Sequence, residues 1–288
     1  MKMEKGVRRC LLDISEWNPS PGDFASALSL LPQHEHSSII GFVRMEDKKR
    51  ALVSRMLQYA LVHQVLGLPY EGIIISRTLE GKPYLECDKI GSMFPNFNFN
   101  VSHHGDYVAV SSEPLCLVGL DIVSPIIPQG ETVPEFIQNF SSSFSSLEWN
   151  NIVTAGADAE VLLEFYRYWC LKEAYVKAIG CGLSIELDKV EFQHDSWTNI
   201  SVKVNGVIMT KWRFWLVHLQ KGHLASIARG HPRYACKSYK RVLTQVDFTE
   251  EEYNEAFHLS NPSFVLRTVE EVIAVLMKAK TPADDQKI

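Results

Sequence analysis

An aspartate at position 121 interrupts the apolar run Leu117-Val118-Gly119-Leu120-Asp121-Ile122-Val123. A carboxylate on a strand that otherwise belongs to a core must be paired, hydrogen-bonded or bound to a cation, because burying it alone is expensive. The plainer alternative is a solvated strand end, where Asp121 caps the next turn. Trp169, Glu173 and Lys177 stand four residues apart and share one face of a helix. As an exposed pair, Glu173 and Lys177 are worth about 0.3–0.5 kcal/mol. On a buried side they offer an oxygen to a hard cation and a counter-charge to a phosphate. His103 and His104 follow a strand-like stretch and lead into Gly105. Zinc is not expected there, since no third His or Cys lies at ligand spacing. A histidine beside Ser102 suits an anion, or is a simple turn residue. Arg44, Lys48, Lys49, Arg50 and Arg55, with Arg77 and Lys82 further on, are either solvated faces or the means to gather a ligand with several phosphates.

These residues need elements to bring them together. Periodicity predicts a strand over 7–15, a short helix over 24–31 stopped by Pro32, and one helix over 37–66 ended by Gly67 and Pro69. A strand follows at 72–76 and a turn at 80–83. The clearest strand is 96–102, with Phe97, Phe99 and Val101 on one face and Asn96, Asn98, Asn100 and Ser102 on the other. A turn at 103–106 leads to a return strand at 107–110, and a third strand covers 117–123. After a polar stretch come a helix over 159–179 and strands near 190–192, 200–209, 212–219 and 224–228. Segments 98–112 and 214–229 both read strand, turn with Gly and His, strand, and each follows a long helix, which is either an internal duplication or two unrelated hairpins.

The pattern predicts an α+β fold. Two similar lobes, 1–117 and 118–235, are expected in a pseudo-twofold arrangement, each a small mostly antiparallel sheet packed on a long helix. Residues 236–288 are expected to be an appended segment, helical at 249–258 and 263–279 and dispensable for chemistry. Phe257, Phe264, Leu266, Val272 and Leu276 would let it cover apolar surface.

The 288 residues carry 29 Lys+Arg against 34 Asp+Glu, a net charge of −5, with 46% hydrophobic residues. That balance is ordinary for a globular protein and argues against a strong nucleic-acid binder. No apolar run approaches the roughly 18 residues that cross a bilayer. The basic start has no apolar core behind it, so no secretory signal is expected. The six cysteines, at 10, 87, 116, 170, 181 and 236, show no metal-like spacing and read as reduced, mostly buried thiols. A cytoplasmic monomer is expected, with organellar entry left open.

In order along the chain, Gly81-Lys82-Pro83, Phe99-Asn100-Val101-Ser102-His103, Val118-Gly119-Leu120-Asp121-Ile122, Glu148-Trp149 and Trp169-x-Leu171-Lys172-Glu173-Ala174-Tyr175-x-Lys177-x-x-Gly180-x-Gly182-Leu183 resemble the 4′-phosphopantetheinyl transferases. The resemblance is to their long, two-lobed form, the types that activate surfactin synthetase and aminoadipate-semialdehyde dehydrogenase. It covers roughly residues 10–230. It implies transfer of phosphopantetheine from coenzyme A, bound between the lobes, to a serine of acyl or peptidyl carrier domains. By resemblance, Asp121 and Glu173 match Mg²⁺-binding carboxylates, and Glu173 is the expected base for the serine. Lys177 matches the lysine on the pyrophosphate, and Ser102 with His103 a phosphate contact. Arg50, the stretch Arg77 to Lys82 and the stretch Asn100 to His103 match coenzyme-binding positions. The chain departs from the family at Val123, where a third acid is common, at His104, where a glutamine stands in some members, and at Ser38, where an arginine does. Two other activities would use the same residues, a non-catalytic coenzyme A or carrier adaptor and a Mg²⁺-dependent phosphodiesterase.

Overall fold

The computed structural model describes residues 3–86 and 94–280, and the chain runs through one pattern twice. The first half opens on β1 (Arg8–Asp13), then α1 (Pro21–Ser29), α2 (Gln33–Ile40) and α3 (Met45–Leu66). A small hairpin, β2 (Ile75–Arg77) and β3 (Pro83–Leu85), precedes the long hairpin β4 (Asn98–His104) and β5 (Tyr107–Glu113). Strand β5 pairs antiparallel with both β1 and β4. The second half opens on β6 (Leu117–Val123), then α4 (Val133–Gln138), α5 (Ser146–Val153) and α6 (Asp158–Ile179). Strands β7 (Val190–Asp195), β8 (Thr198–Val204) and β9 (Val207–Ile208) form a side sheet ahead of β10 (Trp212–His218) and β11 (Leu224–Gly230). Strand β11 pairs antiparallel with both β6 and β10. The sets β1, α3, β4, β5 and β6, α6, β10, β11 are therefore equivalent, and the expected two-lobed α+β fold is what the chain adopts.

Both long helices end as their sequences predict, on glycines in the left-handed region, Gly67 (φ 67°) and Gly180 (φ 71°). Helix α3 buries Leu52, Val53, Met56, Tyr59 and Ala60 in the first core, and α6 buries Phe165, Leu171, Ala174 and Ala178 in the second. The single helix expected over 37–66 is two. Arg44 is extended (φ −83°, ψ 140°) ahead of α3, and Ile40, Phe42 and Val43, counted as core in the periodic pattern, are exposed.

The last segment also departs from expectation. After α7 (Lys237–Lys240) and α8 (Glu250–Phe257), residues expected to begin a helix instead form β12 (Val265–Arg267), which pairs parallel with the open edge of β1. The helix starts later, as α9 (Val269–Lys280), and packs Val269, Val272 and Leu276 into the first core. Leu266, expected to cover apolar surface, is 61% exposed. The segment is woven into the first lobe. Among the described residues, no helix is long and apolar enough to cross a membrane. Five of the cysteines are free thiols, and Cys87 lies outside the described residues.

The halves meet along β4 and β6, which run side by side without a backbone ladder. Side chains of β4 replace it. Asn98 Oδ1 accepts from Val118 N–H (3.0 Å), Asn100 Oδ1 from Leu120 N–H (2.8 Å) and Ser102 Oγ from Ile122 N–H (3.1 Å). Asn98 also donates to Cys116 O at 2.7 Å. Every residue of β6 is buried, so each of these N–H groups would otherwise be an orphan donor. At the far end of the junction, the buried carboxylate of Glu113 binds both Arg9 of β1 and Arg229 of β11. Arg229 also donates to the carbonyls of Phe257 (3.3 Å) and Leu259 (2.5 Å), tying the last segment to both halves.

Asn98→Leu keeps the volume of this seam and removes the side-chain partner of three buried backbone groups, Val118 N–H, Cys116 O and Asn96 O. At about 1–3 kcal/mol for each group left unpaired, the unfolding free energy in a denaturant titration should fall by about 3 kcal/mol or more. An unchanged midpoint would mean that the seam contributes nothing to holding the halves.

Candidate active site

Strand β6 and helix α6 touch backbone to backbone at Gly119. A Cβ there would fall 1.8 Å from Ala174 O and 2.6 Å from Ala178 N, so only glycine permits the approach. Ala174 and Ala178, opposite it, are fully buried. The contact sets the register of the acidic groups, because Asp121 lies two residues along the strand while Glu173 and Lys177 flank the two alanines on the helix.

Asp121 is 5% exposed and sits within the ladder opposite Ser226, which excludes the solvated strand end. Its Oδ1 accepts from Lys177 Nζ at 2.5 Å and from Ser102 Oγ at 3.0 Å, and Lys177 also reaches Ser102 Oγ at 3.1 Å. Burial works against the charge on Lys177, but Asp121 and then Glu173 outweigh it and raise its pKa. The lysine is a fixed cation. Its partner is Asp121 across the junction and not Glu173 one turn back, so the surface ion pair does not form. Glu173 is half-buried and, among the described residues, has neither a hydrogen bond nor an ion pair. Burial and then the Asp121 charge raise its pKa. No group of three or more His, Cys, Asp or Glu among the described residues is arranged to hold a metal ion.

Facing these acids is a set of cations from the first lobe. A cavity of about 350 Å³ opens between the halves, lined by Arg77, Lys82 and Asn100 on one side and Glu173, Lys177 and Gly180 on the other. Lys82 is 5% exposed and donates to Val118 O (2.9 Å) and Lys177 O (2.6 Å). Burial pulls its pKa down to about 7. Arg77 is held at about 10 by burial and then by neighbouring Arg55. His103 keeps exposed surface, yet burial of its ring and then Lys177 and Arg50 push it down to about 4. Arg77 and Lys82 have no ion pair among the described residues, an imbalance that an anion with several charges relieves.

The predicted site residues fall into two groups. Asp121, Glu173, Lys177, Lys82, Arg77, Asn100 and Ser102 come together at or beside the cavity. Asn100 Oδ1 and Ser102 Oγ are already engaged with β6, so both hold the acidic strand in place. Arg50 and His103 do not line the cavity. Arg50 donates to Gly105 O at 3.0 Å and Asp47 at 2.6 Å, beside His103. The two histidines complete β4 and therefore point to opposite faces. Burial lowers the pKa of His104, and the Asp121 charge acts against that.

Sequence reasoning left Lys172 and Glu148 without a role. They form a fully buried pair at 2.7 Å, where Glu148 also accepts from Phe192 N–H at 2.8 Å, bracing α5, α6 and β7 behind the site. The signal was a lysine one position from Glu173, turned to the opposite side of the helix. Reasoning also missed Ser238, bonded to Glu80, and Tyr239, packed on Lys82, in the segment expected to be dispensable. No local spacing announces a contact between residues 158 positions apart.

Paired acids facing unpaired cations across the junction of duplicated halves make a site for a phosphate-bearing substrate, and the comparisons place it in a family. Residues 15–115 match the family described as 4′-phosphopantetheinyl transferase, N-terminal, and residues 117–228 match the 4′-phosphopantetheinyl transferase superfamily. The L-aminoadipate-semialdehyde dehydrogenase-phosphopantetheinyl transferase of Rattus norvegicus is 33% identical over 224 residues, 75% of this chain and 72% of that protein. A phosphopantetheinyl transferase of a Thraustochytrium species is 34% identical over 231 residues, 78% and 79% of the two chains. The chain belongs to the 4′-phosphopantetheinyl transferase superfamily.

The unpaired state of Glu173 has a cost in stability. Its raised pKa means that the folded state disfavours the carboxylate, so Glu173→Gln should raise the melting temperature at neutral pH. The gain should fade as pH falls through the ordinary glutamate range near about 4.3, where the wild-type group is protonated in both states. A variant that melts lower than wild type at pH 7 would show that Glu173 is engaged by a partner.

Proposed function

We propose that this protein transfers the 4′-phosphopantetheine group of coenzyme A to a serine hydroxyl of acyl or peptidyl carrier domains, releasing adenosine 3′,5′-bisphosphate. Family membership supports the reaction. The observation that carries the assignment of its site is Glu173, a half-buried carboxylate without a partner, beside Asp121 and at the wall of the cation-lined cavity. The cavity is the coenzyme site, and Arg77, Lys82, Lys177 and the nearby His103 and Arg50 oppose its phosphates.

Two protein carboxylates fit a magnesium ion, which takes its remaining oxygens from phosphates and water. The mutual repulsion of Asp121 and Glu173 is relieved by such a cation. Val123 in place of a third acid is then no obstacle. When bound, magnesium supplies charge neutralisation for the diphosphate and for the leaving group. The chain's own residues do the rest. Lys177 directs its ammonium at the diphosphate, and Ser102 fixes the rotamer of Asp121. Glu173 accepts the proton of the carrier serine, whose oxygen forms the new bond to the pantetheine phosphorus as the diphosphate bond to the nucleotide breaks. All these groups come from one chain, so the site is complete in a monomer.

Incubation with labelled coenzyme A and an apo carrier domain tests this reading. A mass gain on the carrier supports transfer. Binding without gain indicates an adaptor, and coenzyme breakdown without a carrier indicates hydrolysis. Asp121→Asn and Lys177→Ala should each lower turnover by about a hundredfold or more at saturating magnesium. Near-normal rates in either would remove that residue from the site.

The histidines should separate. His103→Ala should weaken coenzyme A binding about tenfold, through a lost contact to charged phosphate. His104→Gln should retain most activity with Mg²⁺, because neutral imidazole suits that ion poorly. Kinetics with the two effects reversed would overturn both placements.

A further inference from the structure

The C-terminal segment reaches the cavity at successive points. Cys236 donates its N–H to Ile179 O at 2.8 Å and its thiol to Gly180 O at 2.9 Å. Ser238 donates to the carboxylate of Glu80. Tyr239 lies with its ring 4.9 Å from Lys82 Nζ. Gly180, Glu80 and Lys82 all line the cavity, so the segment supports its wall from behind.

Lys82 has an unusual set of partners for a buried ammonium. It donates to two backbone carbonyls, and the ionisable groups that act on it are the Cys236 thiol and the Lys177 ammonium. Among the described residues, no carboxylate is hydrogen-bonded or ion-paired to it. Two carbonyl dipoles and the negative face of one aromatic ring are left to hold its charge. Tyr239 is fully buried, and its hydroxyl has no hydrogen-bond partner among the described residues, so the ring and not the hydroxyl is what meets Lys82. The contact is also held sterically. A Cβ on Gly180 would lie 3.0 Å from both Lys82 Cδ and Tyr239 Cδ1, so the glycine lets the lysine stem and the ring close on each other.

We propose that Tyr239 is a positioning residue for coenzyme binding, its ring face holding the Lys82 ammonium at the cavity wall where the diphosphate of coenzyme A is received. The proposal rests on the reading of this cavity as the coenzyme site. It makes affinity for the coenzyme depend on a residue outside both duplicated halves. Burial alone favours the neutral amine of Lys82, and the ring works in the opposite sense by favouring the ammonium.

Calorimetric titration of the full-length protein with coenzyme A, beside steady-state kinetics and melting curves, tests the proposal. Tyr239→Phe keeps the ring and should bind within about twofold of wild type, since the orphan hydroxyl contributes nothing. Tyr239→Leu should raise Kd about tenfold, about 1.4 kcal/mol. Its kcat at saturating coenzyme should stay within about twofold. Tyr239→Met, unbranched and adaptable, carries the same test should the leucine variant fold poorly. In a Lys82→Met background, Tyr239→Leu should add no further loss, the signature of a residue that acts through another. Additive losses would overturn the proposal, as would a tenfold effect of Lys82→Met with none from the Tyr239 variants. Both of those results leave the coenzyme reading standing. Unchanged binding in Lys82→Met would overturn the coenzyme reading of the cavity, and the proposal with it.

Discussion

Val118, Leu120 and Ile122 carry backbone N–H groups that β11 does not use, because β11 takes the other edge of β6. In most sheets such an edge is paired with another strand or left to water. Here it is buried between the halves, and Asn98, Asn100 and Ser102 accept from it at alternate residues. The arrangement works because both strands repeat every second residue and run in the same direction, so one face of β4 supplies an acceptor at each required height. A side-chain acceptor holds the strands further apart than a ladder would. It also leaves the last rung, Ser102, free to bond a side chain of β6 as well as its backbone. Asp121 is the side chain at that height. The junction therefore both joins the lobes and orients the acid.

Helix α6 has to come close to the same strand, and Gly119 allows it. With the backbones in contact, Lys177 reaches Asp121 and Glu173 is left beside both with no partner. The contrast with the other end of the junction is instructive. There, Glu113 Oε1 serves two guanidiniums, and carbonyls of Phe257, Leu259 and Ser260 take further donors of Arg229. At that end each charged side chain touches an opposite charge. At the site, two carboxylates share one ammonium, while Arg77 and Lys82 line the facing side with no ion pair among the described residues. Both sides are incomplete in opposite senses. A ligand that brings a divalent cation to the acids and phosphates to the bases relieves both at once, the charge pattern of a magnesium diphosphate. The folded state carries that imbalance as a stability cost, of the kind that functional sites commonly hold.

How much of this was legible depended on the range of the contact. The alternation at 96–102 placed Asn98, Asn100 and Ser102 on one face, and spacing alone placed Glu173 and Lys177 on another. Duplication could be sensed because both halves use the same hairpin. Three readings failed for physical reasons. The helix over 37–66 was drawn through Ile40, Phe42 and Val43, whose apolar character matched the period but whose side chains meet solvent. The exposed Glu173–Lys177 pair, the plainer alternative, does not form, because a buried carboxylate across the junction is the stronger attraction. The last segment showed no motif, because its role lies in where a distant loop happens to pass. Periodicity records which face of an element is buried and is silent on what covers it.

The last segment also shows why an apparently appended tail belongs to the site. Strand β12 offers only a three-residue register to β1, too little to be held by hydrogen bonds alone. Its hold comes from α9, whose Val269, Val272 and Leu276 fill the first core, and from the carbonyls that Arg229 binds. Between those anchors and the end of β11, the chain must pass the cavity wall, and α7 sits there with Tyr239 inward. The wall is thus built by a stretch tethered to β11 at one end and to the first core at the other. A ligand gripped by Lys82 favours the docked stretch over a frayed one, and by linkage the docked stretch favours the ligand. On the proposed coenzyme reading, affinity and the anchoring of α9 would be parts of one equilibrium, although α9 itself does not line the cavity. A substitution in the first core that loosens α9 would then act on binding through α7.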